Sequence, residues 1–138
     1  MEDKQSHVLP DLIMKCLNGQ EPLHILGNGN QIRHYTAAKD IARGIRLALE
    51  SDKAINNDFN ISTAESTTVL ELAKKVWKQI NPDKPFKYVC DEPYLHDVAK
   101  RIPDVTKAKE LLGFEAKISL DESISEVLSY MRGKNNDK

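Results

Sequence analysis

No apolar run in the sequence is long enough to cross a bilayer, and Met1 to Pro10 carries no signal-peptide pattern, so the expected compartment is the cytoplasm. Cysteine is scarce. Cys16 and Cys90 stand far apart and in no ligand spacing, which reads as two reduced thiols and not as a disulfide framework or a zinc site. The histidines His7, His24, His34 and His96 have no metal-binding spacing either. Charge of one sign is missing too: 20 basic against 21 acidic side chains leave a net charge of -1. Nothing in that balance points to a nucleic-acid surface or a polybasic membrane anchor. There is no internal repeat, and the three-glycine strand-turn-helix fingerprint of a dinucleotide fold is absent.

What remains is the composition of a globular chain. With 138 residues, 40% of them hydrophobic and 30% charged, one domain can bury about two-thirds of its unfolded surface. Leu9, Leu12, Ile13, Cys16 and Leu17 keep helical spacing between Ser6 and Asn18, with Pro10 in the first turn and Gly19 beyond the end. Leu23 to Leu26, the turn Gly27-Asn28-Gly29-Asn30 and the residues up to Tyr35 read as strand, turn, strand, a hairpin. The period then changes to 3.6, and Ala38, Ile41, Ala42, Ile45, Ala48 and Leu49 form the expected buried face of a helix. Phe59 to Ile61 is a short predicted strand. Thr68 with Glu71 and Ser119 with Glu122 have capping-box spacing, and each opens a helix with an apolar stripe behind it. Lys87 to Val89 looks extended, Asp91 to Ile102 reads as a loop, and Thr106 is the predicted cap of a short helix ending at Gly113.

Four segments in order carry a resemblance. A glycine turn is followed by Gln31-x-Arg33-x-Tyr35 and Asp40-Ile41-Ala42-x-Gly44-Ile45, then Phe59-Asn60-Ile61-Ser62, then Thr68 to Ala73, then Arg101 to Gly113. This set resembles the C-terminal part of the extended short-chain dehydrogenase/reductase family, the nucleotide-sugar epimerases and dehydratases of the UDP-glucose 4-epimerase kind. With Ser119 to Leu128 it spans nearly the whole chain. The implied fold is α/β, the C-terminal part of a Rossmann-type enzyme with short strands and about five helices. Residues 1–132 would be its substrate-binding domain and 133–138 a disordered polar tail.

The resemblance also assigns roles. Arg33 and Arg101 occupy the places from which the family grips the diphosphate of a nucleotide-sugar, and a planar guanidinium offers paired donors to phosphate oxygens. His24 and Leu26 occupy positions that present main-chain groups to the nucleobase. Tyr35-Thr36-Ala37-Ala38-Lys39 matches the Tyr-x-x-x-Lys pattern of the superfamily's proton transfer, but it stands where the family has its Arg-x-Tyr strand, with no serine or threonine suitably upstream, so no catalytic residue is expected here. Where the family has an aromatic or histidine, a valine and an aspartate, this chain has Ala37, Ala38 and Lys39, and no contact is carried over at those positions.

In such enzymes a bound NAD takes a hydride from the sugar and returns it after rotation or elimination. The resemblance implies that this chain supplies substrate binding while a missing N-terminal half holds NAD and the catalytic pair. Alone, it is expected to retain no NAD, bind no metal and turn over no substrate. The other reading is a non-catalytic binding or interaction module that keeps a remnant of the fold. In the family, the helix from Asp40 and the strand at Phe59 lean on the other half. The isolated chain is therefore expected to self-associate through Asp40 to Ile61 as a homo-oligomer, or to rearrange this segment away from its family position.

Overall fold

The computed structural model describes residues 7–93 and 97–136, with residues 134–136 described by their backbone alone. In chain order the elements are α1 (Val8–Leu17), β1 (Leu23–Leu26), β2 (Ile32–Arg33), α2 (Ala38–Leu49), a single 3₁₀ turn (Asp52–Ala54), β3 (Thr67–Thr68), α3 (Val69–Ile80), β4 (Tyr88–Asp91), α4 (Thr106–Leu112) and α5 (Leu120–Asn136). Among the described residues, five α-helices and a few short strands make an α/β fragment, as the resemblance implies. β1 pairs with β4 in parallel, Leu23 opposite Tyr88 through Leu26 opposite Asp91, and β2 pairs with β3.

The contacts fall into two compact units within the span read from sequence as one domain. The first holds residues 1–31, 68–99 and 124–138, and the second 32–67 and 100–123. In the first, α1 and α3 pack on each other and on β1, burying Leu12, Ile13, Leu23, Ile25, Leu72 and Val76. The capping box of α3 is formed as its spacing dictates. Thr68 Oγ1 accepts from the Glu71 amide at 3.1 Å, and the Glu71 carboxylate accepts from the Thr68 amide at 2.8 Å. α5 buries Ile124 and Leu128 in this unit.

In the second unit Ala108, Leu112 and Phe114 form a small core against Leu47, Phe59 and Ile61. Gly44 makes this core possible. A Cβ there would run into the Ile61 side chain and stand 3.1 Å from Phe114. Gly44→Val should therefore overpack the unit and cost about 1–3 kcal/mol, read as a lower urea midpoint with an unchanged slope.

Five sequence expectations need correction. The hairpin does not form, because β1 and β2 join different sheets, although the turn itself uses positive φ at Gly27 (72°) and Gly29 (75°). On α2 the buried side is Asp40, Gly44 and, in part, Leu47 and Ala48, while Ile45 is 52% and Leu49 83% exposed. Apolar side chains there face away from this chain's own core. Phe59 to Ile61 keeps the in-out alternation of a strand but has no ladder, since no partner strand lies beside it among the described residues. Thr106 is the first residue of α4 and not its cap; the cap position is Val105, without a side-chain cap bond, and the Thr106 amide donates to Asp104 Oδ1 at 2.9 Å. Residues 133–136 of the expected tail continue α5, and 137–138 lie outside the described residues. Ser6, His96 and the middle of the predicted 91–102 loop, Tyr94 to His96, also lie outside them.

Candidate functional site

The second unit holds both candidate arginines. Ile32 makes a parallel bridge to Lys100, and the Arg101 amide donates to the Ile32 carbonyl at 3.1 Å. Arg33 and Arg101 are thus the next residues in register on two neighbouring extended segments, and in a parallel ladder such neighbours project to the same face. The Arg33 guanidinium donates from Nη1 to the same Ile32 carbonyl at 2.8 Å. One carbonyl therefore ties both residues. Arg101 is exposed, whereas Arg33 is half-buried.

The flanks of Arg33 are held by groups that sequence spacing did not single out. His34 Nδ1 lies 2.8 Å from the Thr63 carbonyl, which can only accept, so Nδ1 carries the proton and Nε2 accepts from the Ser66 hydroxyl at 2.9 Å. The Thr36 hydroxyl accepts from the Thr63 amide at 3.0 Å. Together these fix the strand carrying Arg33 to residues 63–66. Tyr35 lies before α2, so it does not share a helix with Lys39. Its hydroxyl is buried without a hydrogen-bond partner among the described residues, and burial pushes its pKa up to about 12 despite the Arg33 charge, which pulls it down. Proton transfer would use a shift the other way.

Asp40 is the buried charge of this unit, 2% exposed. One carboxylate oxygen meets Arg43 Nη2 at 2.7 Å, and the other accepts from the amides of Lys117 and Ile118, each at 2.9 Å. Burial alone would raise its pKa, but the Arg43 hydrogen bond and the two amides outweigh it, and the carboxyl titrates below its ordinary range. Arg43 in turn lies over the Phe114 ring, 5.0 Å from its centre, and donates to the Glu115 carbonyl. The sequence signal for Asp40 was available: it lies one turn before Gly44 on the α2 side that ends at Leu47 and Ala48. A cavity of about 600 Å³ also lies in this unit, lined by Ser62, Thr63, Val105, Thr106 and Phe114 among others, and its lining includes neither candidate arginine.

His24 and Leu26 are on β1 in the first unit. The amides of Leu23 and Gly27 bond to Lys87 and Asp91 of the β4 segment, so strand alternation turns the main-chain groups of His24 and Leu26 to the opposite edge. There the His24 amide donates to Gln20 Oε1 at 3.0 Å, its carbonyl accepts from Lys15 Nζ at 3.2 Å, and the Leu26 carbonyl accepts from Gln31 Nε2 at 3.2 Å. The Leu26 amide makes no hydrogen bond among the described residues. The His24 ring pairs with Asp91 at 2.9 Å. Gln31 also reaches Asp97 at 2.9 Å, and its own Oε1 is buried without a partner among the described residues.

The glycine turn does not fit a dinucleotide. Side chains added at Gly27 and Gly29 would meet Gln31 and Leu70 of this chain, and the turn leads into β2, not into a helix whose amides could face a pyrophosphate.

The profile of the GDP-mannose 4,6 dehydratase family matches residues 2–127, and the chain belongs to that family of extended short-chain nucleotide-sugar epimerases and dehydratases. Among relatives, UDP-glucuronic acid decarboxylase 2 of Arabidopsis thaliana is 36% identical over 120 residues, 85% of this chain and 25% of the plant protein. The UDP-glucose 4-epimerase of Thermotoga maritima, solved with UDP-glucose, has a TM-score of 0.80 at 36% identity, covering 96% of this chain and 41% of that one. The UDP-glucuronic acid 4-epimerase of Bacillus cereus, solved with UDP-glucuronic acid and NAD, has a TM-score of 0.83 at 26% identity, covering 93% and 40%. The chain thus spans a quarter to two fifths of the length of these relatives. Among the described residues no helix is long and apolar enough to cross a membrane.

Proposed function

We propose that this chain is the nucleotide-sugar binding portion of an NAD-dependent epimerase or dehydratase. Arg33 and Arg101 take the diphosphate, and main-chain groups of His24 and Leu26 take the base. An N-terminal half not represented in this sequence carries NAD and the catalytic tyrosine and lysine. The observation that carries the reading is the Arg101 amide on the Ile32 carbonyl, because it sets two permanently charged side chains next to one another in register. Planar guanidinium groups on one face offer paired donors to the oxygens of a diphosphate. For the base, docking at the β1 edge exchanges the Gln20 and Lys15 contacts of His24 for contacts to the ligand and gives the Leu26 amide an acceptor. The cytoplasm is the compartment proposed for it. Cys16 and Cys90 are both free thiols, which a reducing compartment maintains.

Its role is to bind and orient, so the purified chain given NAD and a panel of nucleotide-sugars is expected to show no turnover. Turnover that disappears in Tyr35→Phe would overturn this and return Tyr35 to the catalytic role.

A further inference from the structure

We propose that Gln31 is a positioning residue for the base end of the nucleotide-sugar: its side-chain amide fixes the last residue of β1 so that the Leu26 amide is held out toward the ligand, a role that rests on the base docking at that edge. Gln31 is 9% exposed. Its Nε2 donates to the Leu26 carbonyl at 3.2 Å and to Asp97 Oδ2 at 2.9 Å, which uses both of its hydrogens. The turn before it is built to deliver that group. The first two amides of α3 have no partner within the helix and donate to the turn instead, Val69 to the Gln31 carbonyl at 3.1 Å and Leu70 to the Gly29 carbonyl at 2.9 Å. Gly27 leaves the room, since a Cβ there would run into Gln31 Nε2.

Stability does not account for this side chain. Its Oε1 is buried without a partner among the described residues, and a buried acceptor left unmet is costlier than an apolar side chain of the same length. The two acceptors it serves lie on exposed residues, Leu26 and Asp97, where water can take its place. What Gln31 adds is direction. Leu26 ends β1, and beyond it the chain turns away through Gly27 at a φ of 72°. Holding the Leu26 carbonyl keeps that last residue extended and the amide beside it pointed outward. With the carbonyl taken, a base meets only a donor at Leu26 and must bring an acceptor, as O4 of a thymine-type ring does.

Calorimetric titration of the full chain tests this with two ligands, UDP-glucose and the symmetric dimethyl diester of diphosphate, which has the same charge and no base. Urea unfolding follows the fold in parallel. The wild type should bind UDP-glucose more tightly than the diester. Gln31→Met, which keeps the length and removes both donors, should weaken UDP-glucose about tenfold while the diester affinity and the urea midpoint stay near those of the wild type. Gln31→Asn, one carbon too short to reach Leu26, should do the same. A wild type that binds the two ligands equally removes the base from β1 and overturns the base reading and this role together. If the wild type prefers UDP-glucose and both variants keep that preference, the role of Gln31 alone is overturned. Affinity lost for both ligands alike, or lost in step with the urea midpoint, also overturns it, because Gln31 then serves only the fold.

Discussion

Asp40→Ala is expected to lower stability by about 3–5 kcal/mol, the range for breaking a buried ion pair from one side. The carboxylate is 2% exposed, and its removal strands the amides of Lys117 and Ile118 and takes from Arg43 its only carboxylate partner among the described residues. Those amides hold the segment between Phe114 and α5, so the loss should spread through the second unit. Asp40→Asn keeps an acceptor for the amides and should cost less. The pH dependence has a definite sign. The folded pKa lies below the unfolded value of about 4, so this contribution is fully present above pH 4 and is lost as pH falls through the folded value. Urea unfolding of wild type and Asp40→Ala at neutral and acid pH reads both effects: the difference between them should shrink toward acid. A difference that is small at neutral pH, or that grows toward acid, contradicts this account of Asp40.

The second large effect concerns the diphosphate. Arg33→Ala or Arg101→Ala should weaken binding of a nucleotide-sugar by about 1.5–3 kcal/mol each, the range for hydrogen bonds to charged groups. Their effects should not add, because both side chains would hold one ligand group. Arg33 gives one N–H to the Ile32 carbonyl, and its planar guanidinium has five donors in the fork geometry that suits phosphate oxygens. Lysine at either position restores the charge without the planar fork, so it should recover only part of the loss. Unchanged affinity in both alanine variants would remove the arginines from the site.

What could be read from the sequence was local. The boxes of Thr68 with Glu71 and Ser119 with Glu122 are formed because every partner lies within one helical turn. The stripes of α3 and α5 followed from the same short-range spacing. Pairing was not legible, because β1 finds β4 across α2 and α3, and no spacing within the Gly27 turn says which strand will lie beside Leu23. The α2 face was misread for a physical reason: its apolar residues face away from this chain's core, while Asp40 is buried because it satisfies two amides and Arg43. Arg33 could be singled out only through family resemblance. That Arg101 follows it in register is a long-range fact carried by the Ile32 carbonyl. His34 offered a lone imidazole in sequence, and its hold on Thr63 and Ser66 depends on a chain reversal that no local pattern announces.

The most direct test of nucleotide-sugar binding is calorimetric titration of the purified chain with UDP-glucose and, separately, with uridine. The solved Thermotoga relative holds UDP-glucose, which makes it a suitable probe. The expected result is saturable binding of UDP-glucose at least about tenfold tighter than uridine, weakened by salt and lowered to the affinity of uridine when Arg33 and Arg101 are both alanine. Equal affinity for the two ligands, or UDP-glucose binding that survives the double substitution, would contradict it.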